Sequence, residues 1–125
     1  MDTTTTQKPS LYERLGREQK LRKIVNDILD KNFNNPEIAH YFRNTDMNKL
    51  KQLVFDFFSM GTGGPHTYTG RDMRSSHTSL GISEKDFNIG NEDVLKALQE
   101  NGVAKAEIDE VIGILDSLKG EVLGK

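Results

Sequence analysis

Residues 63–82 read GGPHTYTGRDMRSSHTSLGI, and this stretch separates the longest helical pattern of the chain from everything that follows. Its glycines and its proline are turn formers, so one continuous helix across the stretch is excluded. His77 is its one candidate for chemistry, because an imidazole can bind a metal or carry a proton. His66, beside Pro65 in a turn, is expected at the surface. What surrounds the stretch decides whether His77 binds anything.

The composition limits the kind of protein this can be. A chain of 125 residues is long enough for one domain with one core. Its formal net charge of −2, with acids and bases scattered along the chain, favours neither nucleic acid nor a membrane surface as a partner. The absence of cysteine excludes disulfides, a thiolate nucleophile and cysteine-based metal sites.

No part of the sequence has the composition of a membrane anchor or an export signal. No apolar run approaches the ~18 residues that a bilayer-spanning helix needs. The first ten residues, MDTTTTQKPS, are polar rather than a charged segment followed by an apolar one. We therefore expect a cytoplasmic protein. The threonine run at residues 3–6 predicts a disordered tail over residues 1–9, followed by one domain over residues 10–125.

Apolar residues recur at three- and four-residue steps almost throughout, which predicts an all-α domain. Ser10 and Glu13 have the spacing of a capping box, and the short helix that they open stops near Gly16. Four further segments follow: a helix with Leu21, Ile24, Val25, Ile28, Leu29 and Phe33 on its apolar face, a short helical turn opened by Pro36, a long helix from Asp46, and a helix from Ser83 to Asn101. One last helix, with Ile108, Val111, Ile112, Leu115, Leu118 and Val122 on one face, is predicted from about Lys105.

Large aromatic and sulfur-containing side chains are concentrated near His77. They are Phe42, Phe57, Phe58, Tyr68, Met73 and Phe87. Such a group could line a site for a flat aromatic ligand, but aromatics at helical spacing are more often ordinary core, and His77 alone could be a surface residue of a loop. The spacing leaves both interpretations open.

The order of these elements resembles that of group I truncated haemoglobins, which are short globins built as a two-over-two helical sandwich around a haem. The resemblance covers Leu11 to about Leu123. It is carried by LYERLG, HYFRNTDM, FDFFSMGTGGP, YTGRDM, the histidine and GI that follow, and NGVAKAEIDEVIGIL. The double glycine followed by a tyrosine and then His77 is the most specific part.

The resemblance implies a role for particular residues. His77 would be the proximal ligand of the iron of haem b, with the carbonyl of Met73 available to hold its second ring nitrogen. Arg71 would meet a haem propionate, although an exposed arginine is an equally good interpretation of that position. The residues implied to line the haem pocket are Phe42, Leu50, Val54, Phe57, Phe58, Tyr68, Met73, Ile82 and Phe87.

The sequence departs from the family on the side where a gas would bind. Group I members commonly place a tyrosine and a glutamine there, whereas this chain has Leu29 and Val54 at the matching positions and Leu50 between them. An apolar distal pocket is therefore expected, with His40, Tyr41 and Gln52 as the only nearby polar side chains. The family's double glycine after the first helix is also reduced to Gly16 followed by Arg17.

Three functions follow as alternatives. The first is reversible binding of a diatomic gas, which can be oxygen, nitric oxide or carbon monoxide, by a monomer. The second is an enzyme that converts nitric oxide to nitrate and needs a reductase as partner, although an apolar pocket disfavours the long-lived oxygen complex that this reaction requires. The third is a helical interaction module without a cofactor. The resemblance places gas binding first.

Overall fold

The computed structural model of the chain describes residues 9–70 and 82–122. For residues 121 and 122 it describes the backbone alone. Helices are the only regular structure in these two ranges. Six α-helices occur, namely α1 (Leu11–Arg14), α2 (Arg17–Asn34), α3 (Met47–Gly61), α4 (Glu84–Glu100), α5 (Lys105–Ser117) and α6 (Lys119–Val122), with a 3-10 helix at Ala39–Phe42 between α2 and α3. The predicted all-α class is confirmed.

Side chains that begin helices are found where the sequence predicts them. Ser10 accepts from the backbone N–H of Glu13 while the Glu13 carboxylate accepts from the backbone N–H of Ser10, which completes the capping box. Asp46 caps α3, and Ser83 caps α4. These caps satisfy backbone N–H groups that have no partner inside a helix. The sequence therefore specifies the starts of three helices locally.

The chain turns sharply between α1 and α2. Gly16 has a φ of 103°, and Arg17 has a φ of 64°, which makes it a non-glycine residue in the left-handed region. Residues other than glycine adopt this backbone conformation at an energetic cost, because their Cβ atom approaches the following carbonyl oxygen. Arg17 occupies the position at which the resembled family has its second glycine. The turn thus keeps a glycine-type backbone with an arginine side chain.

Helix α2 lies at the centre of the fold. It packs against α3, against α4 and against the 3-10 helix, while α4 packs in turn against α5. Its inward face is closed, with Val25 fully buried and Leu21 and Ile24 each 1% exposed. The core that forms around it consists of Leu11, Tyr12, Leu15, Leu21, Ile24, Val25, Ile28, Leu29, Phe55, Val94, Ala97, Leu98, Ile108 and Val111.

Two details of the predicted helices are wrong. The last helix is not continuous, because α5 ends at Ser117 and α6 begins at Lys119, while the N–H of Leu118 between them donates to the carbonyl of Leu115. Phe33 does not join the apolar face of α2, since it is 45% exposed. It lies in the last turn of α2, on a different side from Asn32, which donates to Asp93 of α4.

Candidate functional site

Helix α3 has one closed apolar side and one that is only partly covered. Phe55 is 1% exposed and packs in the core. The large apolar side chains on a neighbouring stripe are only half-buried, and these are Leu50, Val54, Phe57 and Phe58. Adjacent large apolar side chains that are only half-covered present apolar surface against which a further apolar group can pack. We refer to these four residues as the α3 stripe.

Tyr68 is brought to the end of the α3 stripe by ring contacts. The ring of Phe57 lies 5.4 Å from that of Tyr68 with an interplanar angle of 82°, and 6.2 Å from that of Phe58 at 89°. These are edge-to-face contacts, which aromatic pairs favour. The segment after α3 therefore returns toward its helix, although two glycines and a proline separate the helix from Tyr68.

The other described residues implied to line the pocket lie on two segments, one before and one after α3 in the sequence. Phe42 ends the 3-10 helix and packs half-buried on the core. Ile82 directly precedes the cap of α4, and Phe87 lies in the first turns of that helix, both half-buried. Within the two described ranges, Phe57 and Phe87 are half-buried without being part of the core or packing on it.

The three residues predicted to line the gas-binding side lie in the core or pack against it. Leu29 is 4% exposed and belongs to the core itself, whereas Leu50 and Val54 are half-buried side chains that pack against it. All three are aliphatic, so their side chains offer no hydrogen-bond donor.

The polar side chains named as alternatives near the pocket have other partners. The amide of Gln52 accepts from Arg22 at 3.0 Å and donates to Asp56 at 3.0 Å. The hydroxyl of Tyr41 donates to Asp86 at 2.6 Å, and this bond to a carboxylate raises the pKa of Tyr41 to about 12. The exposed ring of His40 lies 4.1 Å from the ring of Tyr41.

Three predicted site residues lie outside the described residues. They are Arg71, Met73 and His77. The ligation by His77, the propionate contact of Arg71 and the role of the Met73 carbonyl therefore remain predictions. In the described ranges, no group of three or more histidine, aspartate or glutamate side chains is arranged to hold a metal ion.

Known proteins match nearly the whole chain. Residues 10–123 match the bacterial-like globin family. This chain is a bacterial-like globin. It is 30% identical to the group 1 truncated haemoglobin of Tetrahymena pyriformis over 116 residues, which cover 93% of this chain and 96% of the relative. It is 31% identical to the group 1 truncated haemoglobin of a Synechocystis species over 109 residues, covering 84% and 88%.

Solved structures agree with this assignment. The crystal structure of the Tetrahymena pyriformis truncated haemoglobin in its Fe(III) form superposes with a TM-score of 0.90 at 30% identity, covering 94% of this globin and all of that chain. The 2/2 haemoglobin of a Synechococcus species, solved in the cyanomet state with covalently attached heme, gives 0.86 at 33% identity, covering 92% and 98%. The predicted two-over-two helical sandwich is confirmed.

Sequence reasoning missed one polar group of this globin. The Nδ1 atom of His66 lies 2.9 Å from the hydroxyl of Ser59, and its Nε2 atom lies 3.5 Å from a carboxylate oxygen of Glu18. The same imidazole contacts the ring of Phe55 edge-on at 4.8 Å. His66 is thus half-buried between α2 and α3, and the expectation that it lies at the surface is wrong.

The row Glu18, His66 and Ser59 has the residue types of a hydrolytic triad, but it is not arranged for catalysis. Ser59 is 0% exposed, so its hydroxyl cannot reach a substrate. A nucleophile must contact the atom that it attacks. In this globin the row instead ties the segment that leads to Tyr68 onto α2 and α3. The position of His66 next to Pro65 instead suggested an exposed turn.

Close backbone packing explains the glycine pair in the same segment. Gly63 has a φ of 90°, which favours glycine. A Cβ on Gly64 would lie 2.4 Å from the Ser59 hydroxyl and 2.5 Å from a ring carbon of Tyr12. The backbone N–H of Tyr12 also donates to the carbonyl of Thr62 at 2.8 Å. The glycines therefore let this segment pack directly against α1.

Two cavities differ in their chemistry. A cleft of about 240 Å³ between α2 and α3 is polar, and its two cations, Arg22 and Lys51, are already paired with Glu18 and Asp30. A cavity of about 10 Å³ between α3 and α5 is apolar and is the size of about one water molecule. It is lined by Phe57, Phe58, Gly61, Thr62, Val111, Ile114 and Leu115.

The described residues fit a flat apolar cofactor on one side of α3. The α3 stripe, Tyr68, Phe42 and Phe87 supply aromatic and aliphatic surface that the chain itself covers only by half. The polar cleft, whose charges are mutually neutralised, does not suit such a group. None of the helices in the described part of this globin combines the length and the apolar composition that crossing a bilayer requires.

Proposed function

We propose that this globin binds haem b against the α3 stripe and binds a small diatomic gas at the haem iron. The observation that carries the proposal is the half-buried α3 stripe beside a fully closed core, in a chain of the bacterial-like globin family. A haem would cover the apolar side chains of the stripe that the protein leaves half-exposed, and its iron would supply a site for a gas. Attachment of the haem through cysteine thioethers is excluded because the chain has no cysteine.

Each side chain of the proposed pocket has a physical role. Phe42, Phe87 and the α3 stripe would hold the haem by apolar contact, and Tyr68 would extend the surface that Phe57 offers. Ile82 closes the wall before α4 begins. His77 is proposed as the iron ligand, since a neutral imidazole is the usual protein ligand of globin iron. Arg71 is proposed to pair with a propionate, for which a guanidinium is well suited.

The gas-binding side is proposed to discriminate between gases through what it lacks. A dioxygen ligand gains more from a hydrogen-bond donor than carbon monoxide does, because it carries more negative charge. Hydrogen bonds to charged groups contribute roughly 1.5–3 kcal/mol, so a wall of Leu29, Leu50 and Val54 weakens oxygen binding by about ten- to a hundredfold. We therefore expect fast release of oxygen and a strong preference for carbon monoxide.

Visible absorption spectra test haem binding and its ligation together. The purified protein is titrated with haem and measured in the ferric state, after reduction with dithionite, and under carbon monoxide. We expect a Soret band that becomes five-coordinate high-spin on reduction and shifts with carbon monoxide. The absence of a Soret band after titration contradicts haem binding and leaves the helical interaction module.

Two histidine variants separate ligation from nonspecific haem association. His77→Gly is expected to lose the five-coordinate ferrous spectrum and to recover it when free imidazole is added. His40→Ala is the matched control, because His40 is exposed, and it should leave the spectrum unchanged. An unchanged spectrum in His77→Gly contradicts the proposed iron ligand.

Stopped-flow measurement of oxygen release tests the apolar wall. Leu50→Gln introduces an amide donor on the α3 stripe and is expected to slow oxygen release by about ten- to a hundredfold. Leu50→Met is the control, because it has a similar volume and no donor. Slow oxygen release from the unaltered protein contradicts an apolar wall.

A further inference from the structure

One hydrogen bond joins the two segments that carry the pocket walls. The Tyr41 hydroxyl donates to Oδ2 of Asp86 at 2.6 Å, across 45 positions of sequence. Tyr41 directly precedes Phe42, and Asp86 directly precedes Phe87. The bond therefore lies one residue away from an aromatic side chain on each wall. Nothing in the proposed binding of haem or gas requires this hydroxyl.

The acceptor side of the bond is held firmly. Asp86 lies in the first turn of α4, where its own backbone N–H donates to the capping hydroxyl of Ser83 at 3.1 Å. A carboxylate in the first turn is also stabilised by the partial positive charge at the helix N-terminus. Glu84, in the same turn, pairs with Lys119 of α6 at 2.6 Å. Asp86 thus offers an oxygen at a fixed place on α4.

A second contact joins the same two segments but is much weaker. The Lys85 ammonium lies 4.0 Å from a carboxylate oxygen of Glu37, and these side chains are 78% and 57% exposed. Ion pairs of such exposed side chains contribute about 0–1 kcal/mol. The Tyr41 bond is partly buried, shorter and charge-assisted, and such bonds are roughly twice as strong as neutral ones.

We propose that Tyr41 is a positioning residue for the haem pocket, because its hydrogen bond to Asp86 holds the wall of Phe42 at a fixed distance from the wall of Phe87. This inference rests on the proposed binding of haem. For a haem to leave, the two walls must separate, and the hydrogen bond opposes that separation. Tyr41 thereby slows haem loss without touching the gas or donating to it.

The test compares rates of haem loss in the full-length, haem-loaded protein. Haem is transferred from the ferric protein to an excess of a haem-binding apoprotein, and the rate is followed by absorbance. Tyr41→Phe removes only the hydroxyl and keeps the ring against His40. We expect haem loss to become about three- to tenfold faster, which corresponds to roughly 0.7–1.4 kcal/mol.

Three further variants make the comparison specific. Asp86→Asn retains an oxygen that can accept from Tyr41 but removes its charge, so its rate of haem loss should lie between those of the unaltered protein and Tyr41→Phe. Asp86→Ala should match Tyr41→Phe, and the double variant should be no faster than the faster single variant, since both remove the same bond. Lys85→Gln breaks the exposed ion pair between the same segments and should change the rate by less than about twofold.

Two other measurements separate positioning from a general loss of stability. Circular dichroism in the Soret region reports the arrangement of side chains around the haem and should change in Tyr41→Phe. Urea unfolding of the haem-free proteins should show a smaller loss than the haem-transfer rate implies. An unchanged Soret circular dichroism, or a rate of haem loss in Tyr41→Phe equal to that of the unaltered protein, overturns the proposal.

Failure of the proposed role of Tyr41 can be distinguished from failure of the proposed haem binding. If the unaltered protein forms no Soret band, haem binding itself is wrong, and the role of Tyr41 is overturned with it. If the unaltered protein binds haem and Tyr41→Phe loses haem no faster, only the role of Tyr41 is overturned.

Discussion

The core around α2 and the α3 stripe consist of the same types of residue but are closed to different degrees. Leu15, Leu21 and Leu98 are each 1% exposed, whereas Phe57 and Phe58 are half-buried. Since both regions are apolar, the difference is how completely other protein atoms cover them. A closed core contributes its full apolar burial to folding, whereas a half-covered apolar surface contributes less and leaves area that a bound group can cover.

The largest expected effect sets one phenylalanine of each region against the other. Phe55→Ala should lower the free energy of unfolding by about 3–5 kcal/mol with or without haem, because it opens a cavity in the closed core. Phe57→Ala should lower the free energy of unfolding of the haem-free protein by less than half as much. Its main effect should be weaker haem binding.

Urea unfolding of both variants, with and without haem, checks this difference. Equal losses for Phe55→Ala and Phe57→Ala in the haem-free protein contradict the distinction between the closed core and the open stripe.

Gly64→Ala tests how tightly the closed side is packed. The added methyl group would lie 2.4 Å from the Ser59 hydroxyl and 2.5 Å from a ring carbon of Tyr12, both buried. We expect the free energy of unfolding to fall by about 1–3 kcal/mol. Gly113→Ala in α5 is the control, because no atom lies within 4 Å of the added methyl group, and it should stabilise by about 0.5–1 kcal/mol. Thermal unfolding of the two variants measures both effects.

Arg17→Gly tests the strained turn that leads into the core. Because Arg17 has a φ of 64°, glycine there should be more stable than alanine by about 1 kcal/mol. The comparison with Arg17→Ala removes the contribution of the exposed Arg17–Glu13 ion pair, which both variants lack. Denaturant midpoints of the two variants give the difference. An alanine variant as stable as the glycine variant would show that the turn relaxes.

A pH dependence of stability is also expected on the pocket side. An unfolded tyrosine titrates near pH 10, whereas the hydrogen bond to Asp86 raises the pKa of Tyr41 to about 12. The folded chain thus holds this proton more tightly. Stability from the bond is present below about pH 10 and is lost as the pH rises toward about 12. Unfolding measured across this range should decline less steeply in Tyr41→Phe than in the unaltered chain.

The sequence predicts the helices well because their signals are local. Ser10, Asp46 and Ser83 each lie within three residues of the N–H groups that they cap, so the short sequence pattern contains the whole interaction. The break at Leu118 was missed because apolar spacing continues through it. Spacing records which face is apolar, but not whether the backbone remains helical.

The contacts that complete the site could not be predicted from spacing. Glu18 and His66 are separated by 48 positions, and Tyr41 and Asp86 by 45, and no local pattern marks either pair. The incomplete burial of the α3 stripe depends on what packs across from it, which only the tertiary structure shows. The glycine pair was the one local sign of close packing near His66.

The contact of Gly64 with Tyr12 and Ser59 also limits how this protein can diverge. These three positions share one small volume, although 52 positions separate the first from the last. A larger residue at position 64 is acceptable only if position 12 or position 59 becomes smaller at the same time. Relatives that retain this packing should therefore vary at the three positions together, and an alignment of many such sequences should show them as a correlated set.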